Sequence, residues 1–152
     1  MTFLHDIFNN PFAKRALAQV DIPNWIRDNL KFEQRPYQIE AFKRYIYLDQ
    51  EDFDEKPQKP YHLLYNMATG SGKTLIMAGL ILHLYHKGYR NFLFFVNSNN
   101  IIQKTKDNFL NPQASKYLFN AKIVIDGKEV LIKEIDNFEE ADNQNINLKF
   151  TT

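Results

Sequence analysis

The chain of 152 residues contains no cysteine, which excludes disulfides and thiolate zinc sites and fits a reducing, cytoplasmic compartment. Long apolar runs are missing too. None approaches the roughly 20 residues of a membrane span, so no membrane role is expected. The opening Met1-Thr2-Phe3-Leu4-His5-Asp6 has no basic region ahead of an apolar segment and does not read as a signal peptide. Charge of one sign is absent, the net being +1, so any nucleic-acid contact has to be a local patch. Glycine is scarce at five residues. What is plentiful is apolar surface: 44% of the residues, with thirteen Phe and eight Tyr, enough for one domain with a proper core.

Two of the five glycines stand close together in Met67-Ala68-Thr69-Gly70-Ser71-Gly72-Lys73-Thr74. An apolar run, Tyr61-His62-Leu63-Leu64-Tyr65, precedes this stretch, and a helical pattern from Leu75 to Leu82 follows it. Strand, glycine loop and helix in that order form the context of a phosphate-binding P-loop, or Walker A motif. Glycine lets the backbone wrap closely and turn N–H groups inward, and the helix N-terminus adds about half a positive charge. Thr69, Gly70, Ser71 and Gly72 are therefore candidate nucleotide-binding residues. Lys73 would add a full charge on the outer phosphates, and the Thr74 hydroxyl is placed to ligate Mg2+, which makes these two the catalytic candidates. The strict pattern has Gly where Met67 stands.

Around this loop the pattern predicts an α/β chain. Asn10-Pro11 starts a helix through Ala18, Ile22–Arg27 suggests a short one, and a third begins at Pro36 with Ile39, Phe42, Tyr45 and Ile46 at helical spacing. Asp49–Pro60 is acidic and proline-bearing, a solvated loop. Gly88 is placed to end the P-loop helix. Asn91–Val96 reads as a strand buried on both faces, as in parallel sheets covered by helices. Ile102, Thr105 and Phe109 stripe the next helix, closed by Asn111-Pro112. Ala121–Ile125 and Lys128–Ile132 flank Asp126-Gly127 as a hairpin, and Asn145–Phe150 alternates like a half-buried strand. There are no repeats.

Together with the P-loop, Arg35-Pro36-Tyr37-Gln38-Ile39-Glu40-Ala41 resembles superfamily-two helicases and translocases. More narrowly, it looks like the restriction subunit of type III restriction enzymes. Asn97–Lys104, Ser115–Asn120 and Asn147–Thr152 look like the same branch, so the resemblance runs from Lys31 to the end. It implies a RecA-like P-loop NTPase motor domain with a parallel sheet flanked by helices, bearing a helical N-terminal extension (1–30) and a β-hairpin insertion. Residues 31–152 would be the first RecA-like ATP-binding domain, truncated before the acidic motif. The resemblance further implies that Gln38 reads adenine, since an amide matches that base's donor and acceptor, with Arg35 able to lie against the ring. Ser98, Asn100, Gln103 and Lys104 would contact the DNA backbone. The intact protein would be an ATP- and Mg2+-dependent motor and endonuclease of a restriction system. It would act on double-stranded DNA with a modification methyltransferase subunit.

Three features invite other readings. Ile123-Val124-Ile125-Asp126 could be an acidic strand end holding Mg2+, but Gly127 follows and the turn reading is preferred. Glu139-Glu140-Ala141-Asp142 lacks a preceding apolar strand and reads as a solvated turn. His83 and His86 share a helix face, yet no third metal ligand lies near them in sequence. The rival functions are another motor of the same superfamily, such as a type I restriction or repair translocase, and a nucleotide-binding module that never hydrolyses ATP.

Overall fold

The structure, a computed structural model, describes residues 3–152; Met1 and Thr2, the first two residues of the N-terminal segment read above, lie outside it. The chain forms two compact units. The first takes in the chain up to Ile22 together with Gln34–Ile76, the second Pro23–Glu33 together with Met77–Thr152.

In the first unit, α1 (Leu4–Asn9) and α2 (Pro11–Gln19) are separated by Asn10. Its side chain accepts the Phe12 N–H at 2.8 Å, and Pro11 needs no partner at the first helical position. The third long element, α3 (Pro36–Gln50), buries Phe42, Ile46 and Leu48. Phe8, Leu17 and Leu48 form a small core, with Tyr47, Phe53, Tyr61 and Leu63 against it. Phe53 thus anchors the otherwise solvated loop after α3.

The P-loop strand expected over Tyr61–Tyr65 is not found as a strand. Tyr61, Leu63 and Tyr65 are half-buried and alternate with exposed His62 and Leu64, the latter 92% exposed. That is the alternation of an extended chain, but among the described residues no strand pairs with it. A strand is defined by its neighbour's hydrogen bonds, and periodicity alone cannot supply one.

The helix α4 (Lys73–His86) follows the loop directly; it is apolar nearly all round and mostly buried. It ends as expected at Gly88, φ 105°, with Gly88 N–H bonded to Tyr85 O and Tyr89 N–H to Leu84 O. Those two bonds are the Schellman pattern.

The second unit holds a three-stranded parallel sheet, built from β1 (Asn91–Phe95), β4 (Ile132–Glu134) and β5 (Ile146–Thr151) in the order β1-β5-β4. Its helices include the short Asn24–Arg27 turn and α5 (Asn99–Leu110). The α5 side chain of Phe109 is fully buried and meets Phe94 of β1 edge-on at 5.0 Å, so α5 covers one sheet face. The hairpin β2 (Ile123–Ile125) and β3 (Lys128–Val130) pairs Ile125 with Lys128. Asp126 and Gly127 both have left-handed φ, 51° and 76°, as a two-residue type I′ turn requires.

Two strand expectations need correction. β1 is an edge strand covered on one face only: Leu93 is 43% and Phe95 73% exposed, while Phe92 and Phe94 are half-buried. Its apolar run reflects one covered face and one open face. β5 is central rather than half-buried, with Ile146, Asn147 and Leu148 all buried. Buried Asn147 is tolerated because its amide donates to Asp142 O, Arg90 O and Asn91 Oδ1.

Candidate functional site

The loop residues named by sequence lie together at the start of α4. Gly70 and Gly72 have φ of 78° and 81°, the left-handed region that glycine enters without strain. The Lys73 ammonium donates to Met67 O at 2.7 Å and Ala68 O at 2.9 Å, so the side chain folds back across the loop. An ammonium has three donors, and these two bonds leave one for an incoming oxygen. Met67 departs from the strict motif, yet its contribution is a backbone carbonyl that any residue can provide. Thr74 sits in the first turn of α4, half-buried. Thr69 is exposed, and Ser71 Oγ is buried without a hydrogen-bond partner.

The head of α3 lies against this loop. Gln38 is 4% exposed. Its Oε1 accepts the Arg35 N–H at 2.9 Å, the reciprocal bond of a capping box, and its Nε2 donates to Ser71 O at 2.9 Å. A Cβ added at Gly72 would lie 2.4 Å from Gln38 Nε2. The amide thus has one N–H and one lone pair uncommitted, the pair of functions that adenine presents to be matched. Arg35 is exposed and its Nη1 donates to the Tyr37 hydroxyl at 2.9 Å; that hydroxyl donates in turn to Ser71 O at 3.1 Å. Sequence reasoning assigned no role to Tyr37, because its partner lies on a distant loop and leaves no local pattern.

A cavity of about 900 Å³ opens beside these residues, lined by Arg35, Tyr37 and Glu40 of α3 and by the segment 63–71. That is the size range of small-molecule sites. On its wall, burial first and the neighbouring Tyr45 second push the Tyr65 hydroxyl above the usual phenol range, which keeps it neutral.

The second set of candidates belongs to α5. Ser98 caps the helix, its side chain accepting from the Ile101 N–H. Asn100, Gln103 and Lys104 are all exposed, at spacings that put them on one helix face. Gln103 also bonds Asp107 at 3.1 Å.

Asp126, His86 and His83 have structural partners. The Asp126 carboxylate bonds His86 Nδ1 at 2.9 Å, and the His86 ring stacks on Trp25 at 3.6 Å. His83 accepts the Trp25 indole N–H at 3.3 Å. Among the described residues no three His, Cys, Asp or Glu side chains are grouped to hold a metal ion. Among the described residues no helix is long and apolar enough to cross a membrane.

The family described as "Type III restriction enzyme, res subunit" matches residues 31–152. A curated relative, the "Probable type III restriction-modification enzyme HindVIP Res subunit" of Haemophilus influenzae, is 41% identical over 135 residues. That alignment covers 86% of this chain and 26% of the relative, so the chain spans about a quarter of the relative's length. No solved structure matches. The family's domain is of RecA-like P-loop fold, and the parallel sheet with its covering helix accords with an α/β portion of it. On the match from Lys31 onward and the loop it contains, the chain belongs to the type III restriction enzyme res subunit family.

Proposed function

We propose that the chain is the ATP-binding part of an ATP-driven DNA motor, the restriction subunit of a type III restriction-modification system. The observation that carries this is the glycine loop Met67–Thr74 opening onto α4 with the α3 amide of Gln38 bonded to it. In this reading the N–H groups of Gly70, Gly72 and Lys73, the Ser71 hydroxyl and the Lys73 ammonium hold the phosphates, with Thr69 at the loop entrance. The orphaned Ser71 hydroxyl and the third Lys73 donor fit an anionic, oxygen-rich ligand. Gln38 reads adenine and Arg35 lies against the ring. Thr74 holds Mg2+, which when bound would neutralise phosphate charge.

The rest of the reading concerns the intact protein, with residues 1–30 as an extension and 31–152 as part of the first motor domain. That protein would be a cytoplasmic helicase-like translocase and endonuclease acting on double-stranded DNA, with a modification methyltransferase as its partner. Ser98, Asn100, Gln103 and Lys104 would touch the DNA backbone. The relative's printed name and the exposed polar face of α5 support this.

The test is ATP affinity by calorimetry with Mg2+. Lys73→Ala removes the loop's full charge, and charged hydrogen bonds of about 1.5–3 kcal/mol correspond to a loss of roughly ten- to a hundredfold. Affinity indifferent to this substitution overturns the site.

A further inference from the structure

We propose that Tyr37 is a positioning residue for phosphate binding, whose hydroxyl holds the Ser71 carbonyl and thereby aims the N–H groups of the loop. The inference rests on the nucleotide-binding reading above and adds to it a residue that touches neither phosphate nor base.

Ser71 O receives two hydrogen bonds from adjacent residues in the first turn of α3, from Tyr37 Oη at 3.1 Å and Gln38 Nε2 at 2.9 Å. A carbonyl has two lone pairs, so both bonds are satisfied together. The carbonyl of Ser71 and the N–H of Gly72 belong to one planar trans peptide and point in opposite directions. Holding the carbonyl toward α3 therefore turns the Gly72 N–H away from α3. The peptide joins Ser71 to Gly72, and on the Gly72 side, at a left-handed φ of 81°, no side chain restricts rotation. Ser71 itself is held only through its backbone, by this carbonyl and by its N–H to Ala68 O at 3.2 Å, since its hydroxyl has no partner.

Tyr37 suits the anchoring role better than Gln38. Gln38 is shared, with Oε1 spent on the Arg35 N–H and its other functions claimed by adenine reading. The one hydrogen of the Tyr37 hydroxyl goes to Ser71 O. Its oxygen accepts from the Arg35 guanidinium at 2.9 Å, and a cationic donor at that oxygen strengthens the bond its hydrogen makes to Ser71. The Tyr37 ring is 40% exposed, so removing the hydroxyl leaves its packing in place.

The experiment compares the 152-residue chain with Tyr37→Phe for three ligands: ATP, GTP and inorganic tripolyphosphate, each with Mg2+, by calorimetry. A hydroxyl that acts through the loop weakens all three by the same factor, about three- to tenfold, with the unfolding temperature unchanged. Lys73→Ala is measured alongside. If it leaves ATP affinity intact, the loop is not the phosphate site and the functional reading itself falls. If Lys73→Ala weakens binding while Tyr37→Phe binds all three ligands like the parent, the positioning role is wrong. Weakening confined to ATP and GTP, with tripolyphosphate unaffected, would make Tyr37 a base or sugar contact and overturn the proposal equally.

Discussion

Gly72 is glycine for two reasons, and one of them lies on another helix. Its φ of 81° strains any other residue, by roughly 1–2 kcal/mol, and an added Cβ would meet Gln38 Nε2 at 2.4 Å. That nitrogen ends a flexible side chain, but it is held by Ser71 O while Oε1 holds the Arg35 N–H. Gln38 therefore links the cap of α3 to the glycine loop and still keeps one donor and one acceptor uncommitted. Its proposed adenine reading predicts that the chain prefers ATP over GTP, whose O6 acceptor replaces the N6 donor, by about tenfold. Gln38→Ala should weaken both nucleotides and bring their ratio toward one. Equal affinities of the parent chain for ATP and GTP would rule the base-reading role out.

At the scale of elements, the connection from β4 to β5 shows how a parallel sheet is closed by side chains. Asp142 Oδ1 accepts the Gln144 and Asn145 N–H groups at 2.9 and 2.7 Å; Oδ2 accepts Lys133 Nζ at 2.6 Å and Asn145 Nδ2 at 3.1 Å. The Lys133 bond first, and Asn145 next, hold the carboxyl well below the usual carboxylate range. A depressed folded-state value means that the ionised form stabilises the fold. This contribution is complete above the unfolded value of about 4 and fades as the pH falls from there toward the folded value. Asp142→Asn should therefore lower the melting temperature at pH 6 to 7, and the gap to the parent should narrow as the pH drops from about 4 toward 2. A gap that stays constant across this range would show that the carboxylate charge contributes nothing. The same scale governs α5, where capping by Ser98 leaves Asn100, Gln103 and Lys104 on a shared exposed face.

For the whole molecule, binding and turnover come apart. Hydrolysis needs a positioned water and charge neutralisation from more than one side, and an arginine finger alone is worth about a thousandfold or more. The chain offers the proposed phosphate loop and Thr74. Asp126, which follows the apolar run Ile123–Ile125, sits in a hairpin turn with its carboxylate on His86. The 152-residue chain should accordingly release phosphate from ATP, Mg2+ and double-stranded DNA no faster than its Lys73→Ala variant. Turnover approaching the range of about 1 per second known for phosphoryl-transfer enzymes, and abolished by that substitution, would mean that carboxylates elsewhere in the chain complete the site.

Wherever a few consecutive residues decide the outcome, the sequence by itself determined this protein. Asn10-Pro11 opens α2, Gly88 ends α4, Asp126-Gly127 turns the hairpin, and the glycine loop meets its helix at Lys73. Each rests on local dihedral preference and capping bonds within a turn or two. The tertiary structure alone decided which strand has neighbours. Asn145–Phe150 alternates in sequence but lies central between two parallel strands, Asn91–Val96 is apolar throughout but lies at an edge, and Tyr61–Tyr65 has the pattern of a strand with no partner among the described residues. Pairing is a choice made between distant segments, and a strand's own side chains record only which face is apolar, not who sits beside it. The Tyr37 hydroxyl is the same case at the scale of one bond. It lies in the first turn of α3, and only the fold brings Ser71 O to it.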